Sequence, residues 1–258
     1  MILSDLHVHT NYCDGKNSPE EMVVSAIEKG VKTLGLVVHA YTFFDDSYCV
    51  PKERISSFID EMKFLKEKYK EQIKLLCGVE MDYFSDMDTD DFDYVIGSLH
   101  YFYKDGKYYS VDHAEKYFIE NVQNAFGGDY YSACENYFEN LSGYAVRHNP
   151  DYIGHFDLVR KFNNGNKLFD ENNPRYIRAR NNALEKLIAL NKPFEINVGG
   201  IARGYQDFPY PCQEVIELIK DKGGRFILTS DSHNVDSIGF QFDKWIKILK
   251  DKGVEICE

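Results

Sequence analysis

No apolar run in the chain approaches the ~20 residues that a membrane-spanning helix requires, so no membrane association is expected. No basic-then-apolar leader stands before Ile2, and the first residues are expected to enter the fold directly. The six cysteines, Cys13, Cys49, Cys77, Cys134, Cys212 and Cys257, are dispersed and form no CxxC pair. That spacing predicts neither a disulfide framework nor a thiolate zinc site, and a reducing cytoplasm is the simplest compartment. Positive charge is scarce as well: 30 Lys+Arg against 42 Asp+Glu leave a net charge of −12 and a pI near 5.2. Coating nucleic acid needs clustered cations, so no nucleic-acid partner is expected. A metal cluster could still offset the acidity locally and admit small anions. No Pro/Gly/Ser-rich linker, repeat or low-complexity tract interrupts the chain, which predicts a single domain over 1–258. The oligomeric state is not set by the sequence.

Apolar and aromatic side chains are plentiful, at 43% and 15% of the residues, enough for a large core. A length of 258 residues suits an α/β barrel. Apolar runs predict strands at 2–9, 33–38, 73–79, 94–99, 152–154, 193–198 and 225–229, with a short one at 254–257. A helix is expected from the cap Ser18-Pro19-Glu20-Glu21 to Gly30. A second carries the stripe Ile55, Phe58, Ile59, Met62 and Leu65. Further helices are expected at 114–125, 130–144, 175–190, 211–222 and 238–250, with 101–149 the least regular stretch and 86–93 a solvated acidic loop. Alternating strands and helices predict a parallel sheet, closed as a barrel or open and doubly wound.

The histidines and acids decide between these. In Asp5-Leu6-His7-Val8-His9-Thr10, a period of two puts Asp5, His7 and His9 on one strand face and Ile2, Leu6 and Val8 on the other. Alone, such a pair is more often incidental than a metal site. The pattern recurs, however. The run Thr33–Val38 ends at His39, Ile73–Val79 at Glu80, Tyr94–Leu99 at His100 and Tyr152–Gly154 at His155. Phe226–Ser230 then runs into Asp231-Ser232-His233. Core histidines should scatter. These gather at strand C-termini, the rim where parallel α/β folds place their chemistry. They converge on one centre only if the strands circle it, and seven clear strands predict an irregular barrel.

With Asp14 from the first loop, the candidate ligands are His7, His9, Asp14, His39, Glu80, His100, His155, Asp231 and His233. Such a set exceeds the needs of one ion, so two or three metals are expected, with Glu80 or another carboxylate bridging. The mixed shell suits zinc, manganese or iron better than magnesium. Water activated between such ions attacks phosphorus in line.

The motifs around His7, His39, Gly78-Val79-Glu80, Gly97-Ser98-Leu99-His100, Gly154-His155 and Ser230-Asp231-Ser232-His233 resemble, in order, those of the PHP (polymerase and histidinol phosphatase) superfamily. Likeness to its histidinol-phosphate phosphatase branch extends to His155-Phe156-Asp157-Leu158-Val159-Arg160-Lys161 and to Glu195-Ile196-Asn197 followed by Gly200–Gly204. The resemblance implies a distorted seven-stranded parallel barrel with three divalent transition-metal ions. It also implies a small phosphate monoester as substrate: L-histidinol phosphate, hydrolysed to L-histidinol and phosphate in histidine biosynthesis. Carried over by residue, it implies His7, His9, Glu80 and Asp231 for one metal, and Glu80, His100 and His155 for the second. Asp14, His39 and His233 remain for the third, with Asp14 standing where relatives can carry His. The catalytic residues it implies are Glu80, Asp231 and His233, joined by Arg160 and Arg203, whose guanidinium forks suit phosphate oxygens. Outside the family context, an Arg after a strand reads as solvated or capping.

Other residues take plainer readings. Lys161 reads as solvated, His113 and His148 as surface or loop residues, and Cys13 as a small packing residue. The tyrosines and phenylalanines of 101–103 and 108–109 read mainly as core, although they could stack on an imidazole leaving group. Asn197 suits a ligand contact and a structural hydrogen bond equally. Asp45, Asp46 and Asp112 could each meet a substrate amino group, and nothing in the sequence separates them from solvated acids. Three rival functions compete. A phosphoesterase acting on nucleotides or oligonucleotides needs an open basic trough. An amidohydrolase-like barrel needs neither Arg160 nor Arg203. A non-catalytic metal-binding protein is disfavoured, because so many converging ligands leave open positions for substrate.

Overall fold

The computed structural model describes residues 4–257. Strand β1 (Ser4–His9) is followed by α1 (Pro19–Glu28), β2 (Thr33–His39), α2 (Ile55–Tyr69), β3 (Lys74–Asp82) and β4 (Tyr94–Ser98). A hairpin, β5 (Tyr101–Lys104) and β6 (Lys107–Ser110), leads to α3 (Glu115–Phe126), α4 (Tyr130–Ser142) and the short α5 (Tyr144–Arg147). Then come β7 (Tyr152–Ile153), α6 (Pro174–Ile188), β8 (Phe194–Asn197), the short α7 (Gly199–Ala202), α8 (Gln213–Asp221), β9 (Phe226–Thr229) and α9 (Phe242–Asp251).

Seven strands form one parallel sheet in the order β1-β2-β3-β4-β7-β8-β9. The residues just beyond β9 return to β1: His9 N donates to Ser232 O at 2.7 Å, and Ser232 N donates to His7 O at 3.1 Å. This contact brings the ends of the sheet together into a nearly closed, irregular barrel. Inside, Leu6, Val37, Tyr94 and Ile96 fill the lower half. Tyr94 needs space there, and Gly35 and Gly78 provide it, since a Cβ on either would collide with its ring. The phenol donates to Leu6 O at 2.6 Å, satisfying its one polar group in an apolar setting.

Outside, the longer helices each bury one face toward the core. α1 starts as expected, with a capping box in which Glu21 Oε2 accepts from Ser18 N at 2.8 Å. It ends where Gly30 takes φ +76°, a left-handed conformation that suits glycine. α2 buries Phe58, Ile59, Met62 and Leu65, each stabilising the barrel by about 1.5–3 kcal/mol.

Several sequence expectations change. The β5–β6 hairpin replaces an irregular stretch. Its two-residue turn is Asp105-Gly106, with φ +50° and +78°, matching a type I′ turn. The terminal strand reduces to a single bridge, Phe226 to Ile256. α8 begins at Gln213, two residues later than predicted, because Cys212 occupies the cap. Ile2, assigned to the first strand, lies outside the described residues. Among the described residues, no helix is long and apolar enough to cross a membrane.

Candidate metal centre

The strand ends bring their histidines and acids to the C-terminal mouth of the barrel. His7 Nε2 and His9 Nε2, from alternate positions of β1, face each other at 3.0 Å. Glu80 Oε2, from β3, lies 3.2 Å and 3.3 Å from them, and Asp231 Oδ1 lies 3.8 Å and 3.7 Å away. Glu80 Oε1 meets His155 Nε2 at 2.8 Å and His100 Nε2 at 3.3 Å. Asp14 meets His39 Nε2 at 3.5 Å and His233 Nε2 at 3.2 Å. His39 also turns Nδ1 toward Glu80 Oε2 at 2.9 Å, and His9 stacks between His39 and His233. All the candidate ligands read from the sequence therefore gather in one cluster. Three subsets have donor atoms close enough to share an ion: His9, Asp14, His39 and His233; His7, His9 and Glu80; and His39, Glu80 and His100.

The cluster calls for cations. Glu80 Oε2 is buried among ring nitrogens of His7, His9 and His39 at 2.9–3.3 Å without a well-formed hydrogen bond among the described residues, an arrangement that a shared cation satisfies. Burial opposes charge on His7, yet Glu195, Glu80 and Asp231 outweigh it and hold its pKa well above the usual value. Burial, helped by His39 and His233, pushes His9 down to about 3, leaving a neutral imidazole ready to ligate. Burial also opposes charge on Glu80, but His7, His39 and His100 hold its pKa well below the usual carboxylate range. A proton or a metal ion satisfies this arrangement, and a metal displaces the proton. Imidazole and carboxylate donors without thiolate suit divalent zinc, manganese or iron.

A second ring of carboxylates aims these ligands. Glu195 Oε1, on β8, accepts from His7 Nδ1 at 2.5 Å, and its Oε2 accepts from His155 N at 2.9 Å. Asp82 Oδ2 accepts from His100 N at 2.7 Å and stands 3.2 Å from His100 Nδ1. Such partners fix the tautomer that ligates through Nε2. Sequence reasoning did not single out either carboxylate as a site residue. Asp82 follows Glu80 by two on the same strand face, and that periodicity is the signal that could have found it. Asp5 accepts from Ser230 N, Ser230 Oγ and Gly239 N, tying β1 to the segment after β9; burial raises its pKa to about 6. Asp231 itself sits at φ +49°, a strained conformation for a non-glycine residue at a site of this kind. Cys13 Sγ packs 3.5 Å from His9 Nδ1. Asn197 makes both kinds of contact: Nδ2 donates to Glu195 Oε2 at 3.2 Å and to the candidate ligand Asp231 Oδ2 at 3.4 Å, and Oδ1 accepts from Gly199 N at 2.8 Å.

A cavity of about 290 Å³ opens over the cluster, with Lys161, Arg203, Asp45, Asp112, Tyr101 and His113 completing its wall. Arg203 Nη2 donates to Asp231 Oδ2 at 2.8 Å, and Nη1 donates to Asp231 O at 2.9 Å. Gly199 lets it approach, since a Cβ there would stand 2.8 Å from Nη2.

Arg160, expected beside Arg203, is not brought to this cavity. It is buried against Glu171 at 3.2 Å and Asp157 at 3.9 Å, behind the wall. Its neighbour Lys161, read as solvated, is instead buried at the cavity and donates to Asp112 O at 2.7 Å. His113, read as a surface residue, is exposed but stands at the cavity mouth. His148 stays away from the cluster, its Nε2 3.1 Å from Tyr83 O.

Residues 5–198, more than half of the chain, match the sequence profile of the PHP domain. The histidinol-phosphatase of Bacillus subtilis is 23% identical over 271 residues, covering 96% of this chain and 99% of that protein. Among solved structures, hisK of Listeria monocytogenes superposes with a TM-score of 0.81 at 21% identity, covering 94% of this chain and 99% of that one. The histidinol phosphate phosphatase of Lactococcus lactis subsp. lactis, in complex with zinc, L-histidinol and phosphate, gives a TM-score of 0.66 at 20% identity over 98% and 95% of the two chains. The two structural likenesses concern the fold. Taken with the profile match, they agree with the barrel and its rim of ligands: the chain belongs to the PHP domain family.

Proposed function

We propose that this chain is a metal-dependent phosphatase that hydrolyses L-histidinol phosphate to L-histidinol and phosphate. The observation that carries the reading is the polarity of the cavity. Metal ligands form its floor, Lys161 and Arg203 supply cations, and Asp45 and Asp112 supply carboxylates. A small phosphate monoester with a cationic remainder matches that distribution of charge, and similar proteins bear the corresponding name.

Three divalent ions would suit the donor set: His7, His9, Glu80 and Asp231 would hold one, Glu80, His100 and His155 another, and Asp14, His39 and His233 the third. Bound ions of this kind polarise a phosphoryl oxygen and lower the pKa of water. Glu195 and Asp82 keep His7 and His100 oriented for them. Lys161 and Arg203 hold the phosphoryl oxygens and screen their charge from Asp231 and Asp112. The small, partly acidic cavity offers no basic trough, which argues against a nucleic-acid strand as substrate. The chain acts as one domain over 1–258.

A phosphate-release panel on protein supplied with zinc, manganese or iron tests this reading. Histidinol phosphate should give the highest kcat/KM against nucleoside monophosphates, short oligonucleotides and an aryl phosphate. A preference for a nucleotide, or turnover only of phosphate-free substrates, overturns it.

A further inference from the structure

We propose that Asp112 reads the substrate's ammonium group, so that the cavity selects phosphate monoesters carrying an amine close to the ester oxygen; this rests on the phosphatase reading above. The cavity is marked as a ligand site by its floor as well, where buried Glu80 Oε2 lies among ring nitrogens of His7, His9 and His39 at 2.9–3.3 Å with no well-formed hydrogen bond among the described residues. Of the three carboxylates that the sequence left equivalent, the fold separates each. Asp46 is exposed and does not line the cavity. Asp45 lines it, but both of its oxygens are already engaged: Oδ1 accepts from Ser47 N at 3.2 Å and Ser47 Oγ at 2.6 Å in its own loop, and Oδ2 accepts from Tyr101 OH of β5 at 2.8 Å.

Asp112 differs. It follows β6 on a turn fastened to the metal rim, where Val111 N donates to His100 O at 2.8 Å. Its Oδ2 accepts from Lys161 Nζ at 3.3 Å, and Oδ1 accepts no hydrogen bond among the described residues. The ammonium of Lys161 beside it favours the ionised form. One carboxylate oxygen is thus left for a ligand at the phosphoryl end of the cavity. In L-histidinol phosphate the amine sits on the carbon next to the ester methylene, so a phosphoryl group held by Lys161 and Arg203 carries its ammonium alongside. Ion pairing there satisfies both groups, whereas a substrate lacking the amine leaves the carboxylate oxygen unpaired.

The plainer role for Asp112 is to hold Lys161 in place, and the test separates the two. The metal-loaded enzyme is assayed for kcat/KM on histidinol phosphate and on its des-amino analogue, 3-(imidazol-4-yl)propyl phosphate. The quantity read is the ratio of the two. In Asp112→Asn this amine preference should fall by about ten- to a hundredfold. Asp45→Asn and Lys161→Met should keep it, although Lys161→Met lowers both rates. An Asp112→Asn variant that loses both activities in proportion, or an Asp45→Asn variant that alone loses the preference, overturns the proposal.

Inhibition of the wild-type enzyme gives the same ratio without any variant. Histidinol should bind at least about tenfold more tightly than 3-(imidazol-4-yl)propan-1-ol, and equal inhibition overturns the assignment. A wild-type enzyme that hydrolyses phosphate monoesters without preferring the amine sinks only the role of Asp112. One that hydrolyses none sinks the phosphatase reading and this proposal with it.

Discussion

Glu80 is approached by five imidazoles, those of His7, His9, His39, His100 and His155, at 2.8–3.3 Å. No other carboxylate of the cluster touches so many, which makes it the natural bridge between ions. Glu80→Gln keeps the shape but removes the charge and one acceptor. It should lose more than one metal per chain and about a hundredfold or more in turnover. His233→Ala, at the outer edge of the cluster, should retain more metal, and elemental analysis of the two variants tests the ranking. Arg203→Ala should lower kcat/KM by about one to two powers of ten, from a charge-assisted contact worth about 1.5–3 kcal/mol, and Arg203→Lys should restore only part. Arg160→Ala should behave in the opposite way. Its guanidinium is packed against Glu171 and the fully buried Asp157, so its removal should cost about 3 kcal/mol of stability with a smaller effect on kcat/KM. Calorimetry beside steady-state kinetics separates these roles; a kinetic collapse with unchanged melting in Arg160→Ala would return it to the site.

Helices α6 and α8 are joined by a pair of unusual polarity. Arg180 is 1% exposed, while Glu214, which receives its Nη1 and Nη2 at 2.9 Å and 3.0 Å, is 61% exposed. The hydrogen bond from Arg180 lowers the Glu214 pKa below its ordinary 4.5. A carboxylate with a depressed folded-state pKa contributes stability above its unfolded value and loses it as pH falls through the folded one. Glu214→Gln should therefore melt below wild type at pH 7, by about 1 kcal/mol or about 2–4 °C after allowing for solvent screening. The gap should close as pH falls from about 4.5 through the lower folded-state pKa, where protonated Glu214 is as neutral as the Gln that replaces it. A gap that persists unchanged at acid pH would assign the loss to packing rather than charge.

At the scale of the whole molecule, the metal cluster and the barrel seam coincide. His7 and His9 belong to β1, Asp231 and His233 follow β9, and the Val8–Ser232 bridge lies between them. Ions held by both ends would staple the first strand to the last. Loaded protein should contain close to three metals per chain and unfold in a single transition, as one domain. Chelation should lower Tm and keep the transition single, with a loss of about 4 kcal/mol for each ion present at a thousand times its Kd. Full activity with a single ion per chain would refute the three-metal reading, and two separate transitions would refute the single domain.

Local rules of sequence determined much of this. Alternation along β1 and β3 set which side chains share a face, and the strands' apolar runs ended where their ligands now stand, so the cluster was legible before any fold was known. The capping box of α1 and the buried stripe of α2 were equally local. The Asp105-Gly106 pair was a local signal too, and its turn chemistry could have revealed the β5–β6 hairpin. What only tertiary structure decided is the direction of side chains outside regular elements. Arg160 and Lys161 are adjacent around a 3₁₀ turn, Leu158–Arg160, where successive side chains diverge by about 120°. No periodicity in the sequence says which of them meets the cavity; packing against Glu171 takes the first and leaves Lys161 facing the ligands. The acids differ for the same reason. Asp45, Asp46 and Asp112 are alike as residues, and only the loops that carry them, one fastened to His100 and another to Tyr101, decide which oxygen is left for a substrate.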